Sequence, residues 1–256
     1  GCSNVLLEGI TILDSPFWVI HPVYCDNVII RGVTVKSYNT NNDGCDPESS
    51  SNVLIEDCVF ATGDDAIAIK AGRDNDAWRV GRATENVVIR NCVFESKING
   101  VCIGSEISGG VRNVFIENIK IPKSANAIYF KSNTNRGGFI ENIFVRNIHA
   151  DSVKETLIRF EPNYKGEGKM MHPTNFNGFY LENITSNLVE GCGLYLAGLE
   201  ISALKNVTLS NIEIKKTPVA YGLKFAEHIV FKDVVVNGEK LAEKPEEKTL
   251  VKLTTF

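Results

Sequence analysis

The nine residues Asn4-Val5-Leu6-Leu7-Glu8-Gly9-Ile10-Thr11-Ile12 return, with variations, all along the chain. They recur at Asn27 (NVIIRGVTV), Asn52 (NVLIEDCVF), Asn86 (NVVIRNCVF), Asn113 (NVFIENIKI) and Asn142 (NIFVRNIHA). Further copies begin at Gly178 (GFYLENITS), Asn206 (NVTLSNIEI) and His228 (HIVFKDVVV), making nine units at spacings of 22 to 36 residues. Self-similarity at this period restricts a chain to solenoids, propellers or arrays. Within each unit β-branched residues alternate with polar ones, which is a strand pattern, and no segment sustains a helical period. The sixth position is always Gly, Asp or Asn, and these tolerate a left-handed backbone, so each marks a bend between two strands. The seventh is apolar throughout and returns the chain to the interior.

Two or three short strands joined by bends, with no helix, make one coil of a parallel β-helix. A coil cannot bury its apolar face alone, whereas a stack buries a continuous core. A β-propeller blade needs four antiparallel strands in about 40 or more residues, and these units are shorter. The expectation is therefore an all-β chain folded as one parallel β-helix domain over residues 1–256. It has about nine coils over residues 4–237 and a tail from 238 to 256 that caps the stack or stands exposed. Residues 71–84 and 161–177 lengthen two coils and should project as loops, which on rigid scaffolds often carry binding residues.

Bulk properties narrow the partners. The net charge is −4 and no basic patch is interleaved with aromatics, which argues against nucleic acid. No run reaches the ~18 apolar residues of a membrane span. The seven cysteines form no CxxC pair. Cys58 and Cys92 hold equivalent apolar slots in adjacent units, so packing rather than a metal is expected of them. The chain is expected to be monomeric. It opens Gly1-Cys2-Ser3 directly into a unit, without an initiator Met, and so reports nothing about targeting.

Chemistry concentrates in Asn41-Asn42-Asp43-Gly44-Cys45-Asp46 and in Thr62-Gly63-Asp64-Asp65-Ala66-Ile67-Ala68-Ile69-Lys70. Adjacent acids cannot both ionise in a small volume without one pKa rising, which is how one site supplies an acid and a base. Aligning the second strand of each coil on its apolar positions puts Asp43, Asp65, Asn99 and Asn126 in one column. Asp64 lies one residue earlier and turns the other way. Glu155 falls at the start of the corresponding segment in the next coil. The parity of Ile67/Ile69 and Ile128/Phe130 should point inward. The opposite parity should face solvent, namely Asp46/Glu48, Ala68/Lys70, Cys102/Gly104, Tyr129/Lys131, Arg159/Glu161 and Tyr195. The result would be an open groove with a polar floor, suited to a polymer lying across the coils. Arg or Lys beside the acids favours an anionic ligand, and Tyr129 could stack on a sugar.

The coil pattern NVxIxxxxF, the Asn-Asn-Asp-Gly turn, the strand Gly63-Asp64-Asp65-Ala66-Ile67-Ala68-Ile69-Lys70 and the strand Gly100-Val101-Cys102-Ile103-Gly104-Ser105 together resemble glycoside hydrolase family 28, the polygalacturonases and related pectin hydrolases. The strings DGCDPESS, GDDAIAIKAGRD and GSEISGGVRN resemble its bacterial branch. The resemblance spans the chain to at least Gly238. It implies a right-handed parallel β-helix that cleaves galacturonosyl linkages with inversion, without metal or cofactor, as a secreted or periplasmic enzyme. It also implies further coils ahead of Gly1. By position, Asp64 would be the general acid, Asp43 and Asp65 would hold and deprotonate the water, and Lys131 would grip the substrate carboxylate. Lys70, Asn99, Tyr129 and Arg159 complete the expected substrate-binding set. Inverting pairs usually stand about 6.5–9.5 Å apart. Acids on adjacent coils could be closer, so the expectation of inversion comes from the family. Two positions depart: Ile98-Asn99-Gly100 replaces the family's Gly-His-Gly, and Tyr129 replaces the Arg of Arg-Ile-Lys. These leave open a rhamnogalacturonan-directed relative, a catalytically impaired carbohydrate-binding β-helix, or a lyase on the same fold, and endo or exo action.

Overall fold

The computed structural model describes residues 1–166 and 171–253. Its strands stack in parallel as a right-handed β-helix. The strand Ser3–Glu8 pairs in register with Asp26–Arg31, that with Ser51–Glu56, and that with Thr84–Ser96. The ladder continues through Val111–Lys131, Phe139–Glu161, Asn175–Val189, Leu204–Ile214 and Ala226–Val236. Each pairing joins residues a full coil apart, so positions about 25 residues apart in sequence lie only about 4.8 Å apart in space.

The bends fall where the sequence places them. All nine sixth-position residues are left-handed, with φ between 51° and 65°. That backbone costs most L-residues about 1–2 kcal/mol, and Gly, Asn and Asp are the types that tolerate it. The first position of each unit is also left-handed, from Asn4 (φ 56°) to His228 (φ 55°), so each coil has a second bend that the strand pattern conceals. Exposed asparagine ladders join the bends across coils. Asn118 donates to Asn91 at 3.1 Å, Asn147 to Asn118 at 3.0 Å and Asn183 to Asn147 at 3.1 Å.

Inside, the inward parity fills the stack as expected. Ile67, Ile69, Ile103 and Phe130 are fully buried. Phe60 stacks on Phe94 at 5.6 Å between ring centroids, and Phe130 meets Phe160 at 4.7 Å and Phe179 at 5.0 Å. Cys58 and Cys92 are buried free thiols in this core.

Two local expectations change. The segment 71–84 is not a plain loop, because it contains a short helix, Asp74–Val80, closed by Gly81 in the left-handed conformation. The second insertion folds back over the groove rather than projecting freely: Tyr164 donates its amide to Ser132 O at 2.7 Å. The two insertions then meet. Trp78 donates to the Arg136 carbonyl at 3.0 Å and packs against His172 at 4.5 Å. Residues 167–170 of that insertion and 254–256 of the tail lie outside the described residues. The described tail folds back as a cap. Glu239–Lys240 pairs antiparallel with Val235 and Val236, and Lys248 exchanges backbone hydrogen bonds with Leu223. Among the described residues no helix is long and apolar enough to cross a membrane.

Candidate active site

The two acidic turns are held by their own coils. Asn42 is fully buried; it accepts from Ser37 Oγ at 2.8 Å and from the Asn39 amide at 2.9 Å, and donates to the carbonyls of Ser15 and Phe17 in the preceding coil. Gly44 and Gly63 sit where backbones nearly touch. A Cβ on Gly44 would stand 2.5 Å from Ala66 O, and one on Gly63 2.1 Å from Asn39 O. The Asp64 carbonyl accepts from Thr62 Oγ1 at 2.7 Å and Ser96 Oγ at 2.5 Å, which fixes this residue while its side chain stays half-buried.

Register brings the acids together. Cys45 bridges Ile67, and Ile67 pairs with Val101, so Asp43, Asp65 and Asn99 align two residues earlier in each coil. Asn126 pairs with Asn99. The next member is Thr156 rather than Glu155, because the register slips by one residue after Ser124. The column is a buried, polarised chain of hydrogen bonds. Thr156 Oγ1 donates to Asn126 Oδ1 at 2.5 Å, Asn126 Nδ2 to Asn99 Oδ1 at 2.9 Å and Asn99 Nδ2 to Asp65 Oδ1 at 2.5 Å. Every donor points toward Asp65. Such chains reinforce one another in a low-dielectric interior. The other oxygen, Oδ2, accepts from Lys131 Nζ at 3.2 Å.

The acids differ electrostatically. Burial, and then the charge of Asp65, push Asp43 up to about 7, with Lys70 opposing. Burial and Asp65 also raise Asp64, against Lys131. The ammonium of Lys70 lies 3.6 Å from Asp43 Oδ2, 3.6 Å from Asp46 Oδ1 and 3.4 Å from Glu106 Oε2, with the Trp18 ring 4.3 Å away. Burial disfavours the charged forms of both lysines, yet the surrounding acids push them up, Asp46 foremost for Lys70 and Asp65 for Lys131.

The outward face is not open to solvent as its parity predicts. Lys70, Tyr129, Lys131 and Arg159 are all less than 9% exposed, and Ala68, Cys102 and Tyr129 form a small second cluster with Tyr164 laid on it. Tyr164 of the insertion lies on Tyr129 and 5.1 Å from the Lys131 ammonium, Trp18 lies beside Lys70, and the buried charges find internal partners. Tyr129 donates its hydroxyl to Glu161, so it is not a free sugar platform. Arg159 bonds Glu155 at 2.9 Å and Glu161 at 2.8 Å while lying over the rings of Tyr129 and Tyr195. It fills the space beside Tyr129, but its charge is already matched. Asp43, Asp64, Asp65, Asn99, Lys70 and Lys131 do converge. Tyr129 and Arg159 form a neighbouring network reached through Lys131, whose ammonium lies 5.5 Å from the Tyr129 ring.

Sequence reasoning missed Trp18 and Glu106. Trp18 lies two residues before Ile20, which bridges Cys45, so it heads the Asp43 column; its stretch, Asp14-Ser15-Pro16-Phe17-Trp18, lacks the strand alternation that marks the other coils. Glu106 follows the Gly104-Ser105 turn that ends the aligned strand. Asp46 was read as a solvent-facing acid and is instead fully buried. The register that pairs Glu48 with Lys70 is the one the sequence indicates, but alternation alone does not show that the row carrying Asp46 is covered.

Comparison with known proteins agrees with this geometry. The chain is 36% identical over 155 residues to a probable polygalacturonase of Vitis vinifera, covering 59% of this chain and 32% of that protein. It is 29% identical over 217 residues to an endo-polygalacturonase of Pectobacterium parmentieri, covering 83% and 50%. The crystal structure of a hyperthermoactive exopolygalacturonase from Thermotoga maritima superposes with a TM-score of 0.93 at 37% identity, covering 98% of this chain and 56% of that one. The chain thus spans a third to about half the length of these relatives. The family model for glycosyl hydrolases family 28 matches residues 1–228. With the acidic turns in register on a parallel β-helix, that match over most of its length places the chain in glycosyl hydrolases family 28.

Proposed function

We propose that this chain carries the catalytic groove of an enzyme that hydrolyses a galacturonic-acid-containing pectic polysaccharide or oligosaccharide with inversion and without a metal. The observation that carries this reading is the asymmetry among three neighbouring acids. Asp65 is held by Asn99 and Lys131, whereas Asp64 is half-buried with its pKa raised, as a proton donor requires. Asp64 gives its proton to the glycosidic oxygen as the bond to the anomeric carbon breaks. Water bonds to that carbon from the opposite face and passes a proton to Asp43 or Asp65. Asp64 then regains a proton from solvent and the base releases the one it took from water. Lys131 stays paired with Asp65 but is the least enclosed of the site's three buried cations, its side chain 11% exposed against 5% for Lys70 and 3% for Arg159, and that edge receives a substrate carboxylate.

Two finer assignments belong to the same reading. The two insertions meet through Trp78 and His172; loops that closed one end of a groove would favour action at a chain end, as the name of the Thermotoga maritima relative indicates for that protein. Because Arg159 is already paired with Glu155 and Glu161, Lys131 grips a carboxylate with less help. That favours a rhamnogalacturonan-directed enzyme as the second reading. The enzyme would work outside the cytoplasm, secreted or periplasmic.

The test is reducing-sugar release from polygalacturonate and from rhamnogalacturonan in EDTA, comparing the chain with Asp64→Asn. Losing a general acid should cost about 10²–10⁴ in kcat. Undiminished turnover by Asp64→Asn, or an unsaturated ultraviolet-absorbing product, would overturn the assignment.

A further inference from the structure

Asp46 has no place in the reaction as described, yet it is the most enclosed acid of the site. Its side chain is 0% exposed, and neither carboxyl oxygen is met by an N–H or hydroxyl donor; it faces the Asp43 carboxyl within hydrogen-bonding reach. The nearest cation is Lys70, at 3.6 Å, and Lys70 is shared with Glu106 and Asp43. A carboxylate buried in this way, without a donor, is strongly disfavoured unless it takes up a proton.

Counting the charges that face Asp46 leads to the same place. Asp65 is matched by Lys131 at 3.2 Å. Glu106 is the partner closest to Lys70, and although burial opposes ionisation, Lys70 and then Lys131 and Arg136 bring it down to about 2. One lysine cannot neutralise Glu106, Asp43 and Asp46 together. A proton must reside on Asp43 or Asp46, and the one with no exposed oxygen keeps it. Cys45, also buried, adds no charge there, since burial pushes its thiol up. A protonated carboxyl needs an acceptor, and Asp43 is the acid that bears most strongly on Asp46.

We propose that Asp46 is a positioning residue that holds a proton against Asp43, so that Asp43 is the member of the pair that ionises and turns one oxygen to the attacking water. Asp46 touches neither water nor sugar; it acts through Asp43. Lys70, clamped between the two acids and covered by Trp18, keeps the pair in place.

The test combines infrared spectroscopy with a pH profile. With ¹³C at the aspartate carboxyls, the chain at pH 8 should show a protonated-carboxyl C=O band that Asp46→Asn lacks. In kinetics, Asp46→Asn retains an N–H donor toward Asp43 and should leave the acid limb of kcat/KM in place. Asp46→Ala removes the donor and should move that limb up by about one pH unit, with the rate recovering at higher pH. A band that persists in Asp46→Asn overturns the proposal. So does an equal loss of activity in both variants with an unshifted limb, which would mean packing alone. The kinetic arm rests on the hydrolase reading above; the infrared arm does not. An active site that turns nothing over therefore still leaves the proton on Asp46 decided, and a poorly folding Asp46→Ala leaves the Asp46→Asn spectrum to decide it.

Discussion

Replacing Asp43 by Asn should make the protein more stable, by an amount that grows from about pH 4 and is full above about pH 7. Burial and the Asp65 charge raise the Asp43 carboxyl from 3.8 to about 7 in the folded chain. Below about pH 4 folded and unfolded states both hold the proton, and the residue costs nothing. Between about pH 4 and 7 the unfolded chain ionises while the folded one does not, so stability falls as pH rises. Above about 7 the cost levels off. A shift of about three units at 1.36 kcal/mol each sets a ceiling of about 4 kcal/mol. Sharing of the interaction with Asp46 brings the expected cost to about 2–4 kcal/mol. Asn keeps the shape and has no such titration. For a chain of this size that gain corresponds to a rise in Tm of about 5–10 °C at pH 8, with little change at pH 4. Calorimetry at the two pH values compares variant and parent under identical conditions, which avoids relying on two-state unfolding in a repeat fold. The reasoning fails if Asp43→Asn is destabilised equally at both pH values, or gains nothing at pH 8. The same substitution should abolish sugar release, since stability is commonly sacrificed where a strained group does chemistry.

Two further predictions concern the scaffold that holds the acids. Asn99→Asp sets a second carboxyl against Asp65 Oδ1 in full burial, so its stability loss, measured by urea denaturation, should grow from about 1 kcal/mol at pH 4 to about 3 or more at pH 8; a pH-independent loss would show that the new carboxyl meets no penalty for its charge at the end of the ladder. Phe130→Ala empties a site packed by Phe160 and Phe179 and should cost about 3–5 kcal/mol, far more than the same change at exposed Phe115, and a cost near 1 kcal/mol would mean that this part of the core collapses freely.

The sequence made the coils legible because a stacked fold repeats its constraints. An inward Ile or Phe at each turn of the stack and a left-handed residue at each bend leave a mark in every unit, so nine weak signals reinforce one another. That register was enough to set Asp43, Asp65 and Asn99 in one column before any coordinates. It failed where the repeat is broken. The slip after Ser124 moved Thr156 into the column that Glu155 seemed to hold. The insertions, which match nothing in other coils, gave no sign that Tyr164 would roof the outward face or that Trp78 and His172 would meet. Alternation says which way a side chain points from its strand, and it is silent on what comes to cover it. Lys131 shows the consequence. Had it faced open water, Asp65 would have a screened cation nearby; roofed over, the same pair stands at 3.2 Å in a low-dielectric pocket where each charge fixes the other. By laying Tyr164 over Tyr129 and Lys131, the second insertion makes part of a solvated row into the fixed charge against which Asp64 is tuned.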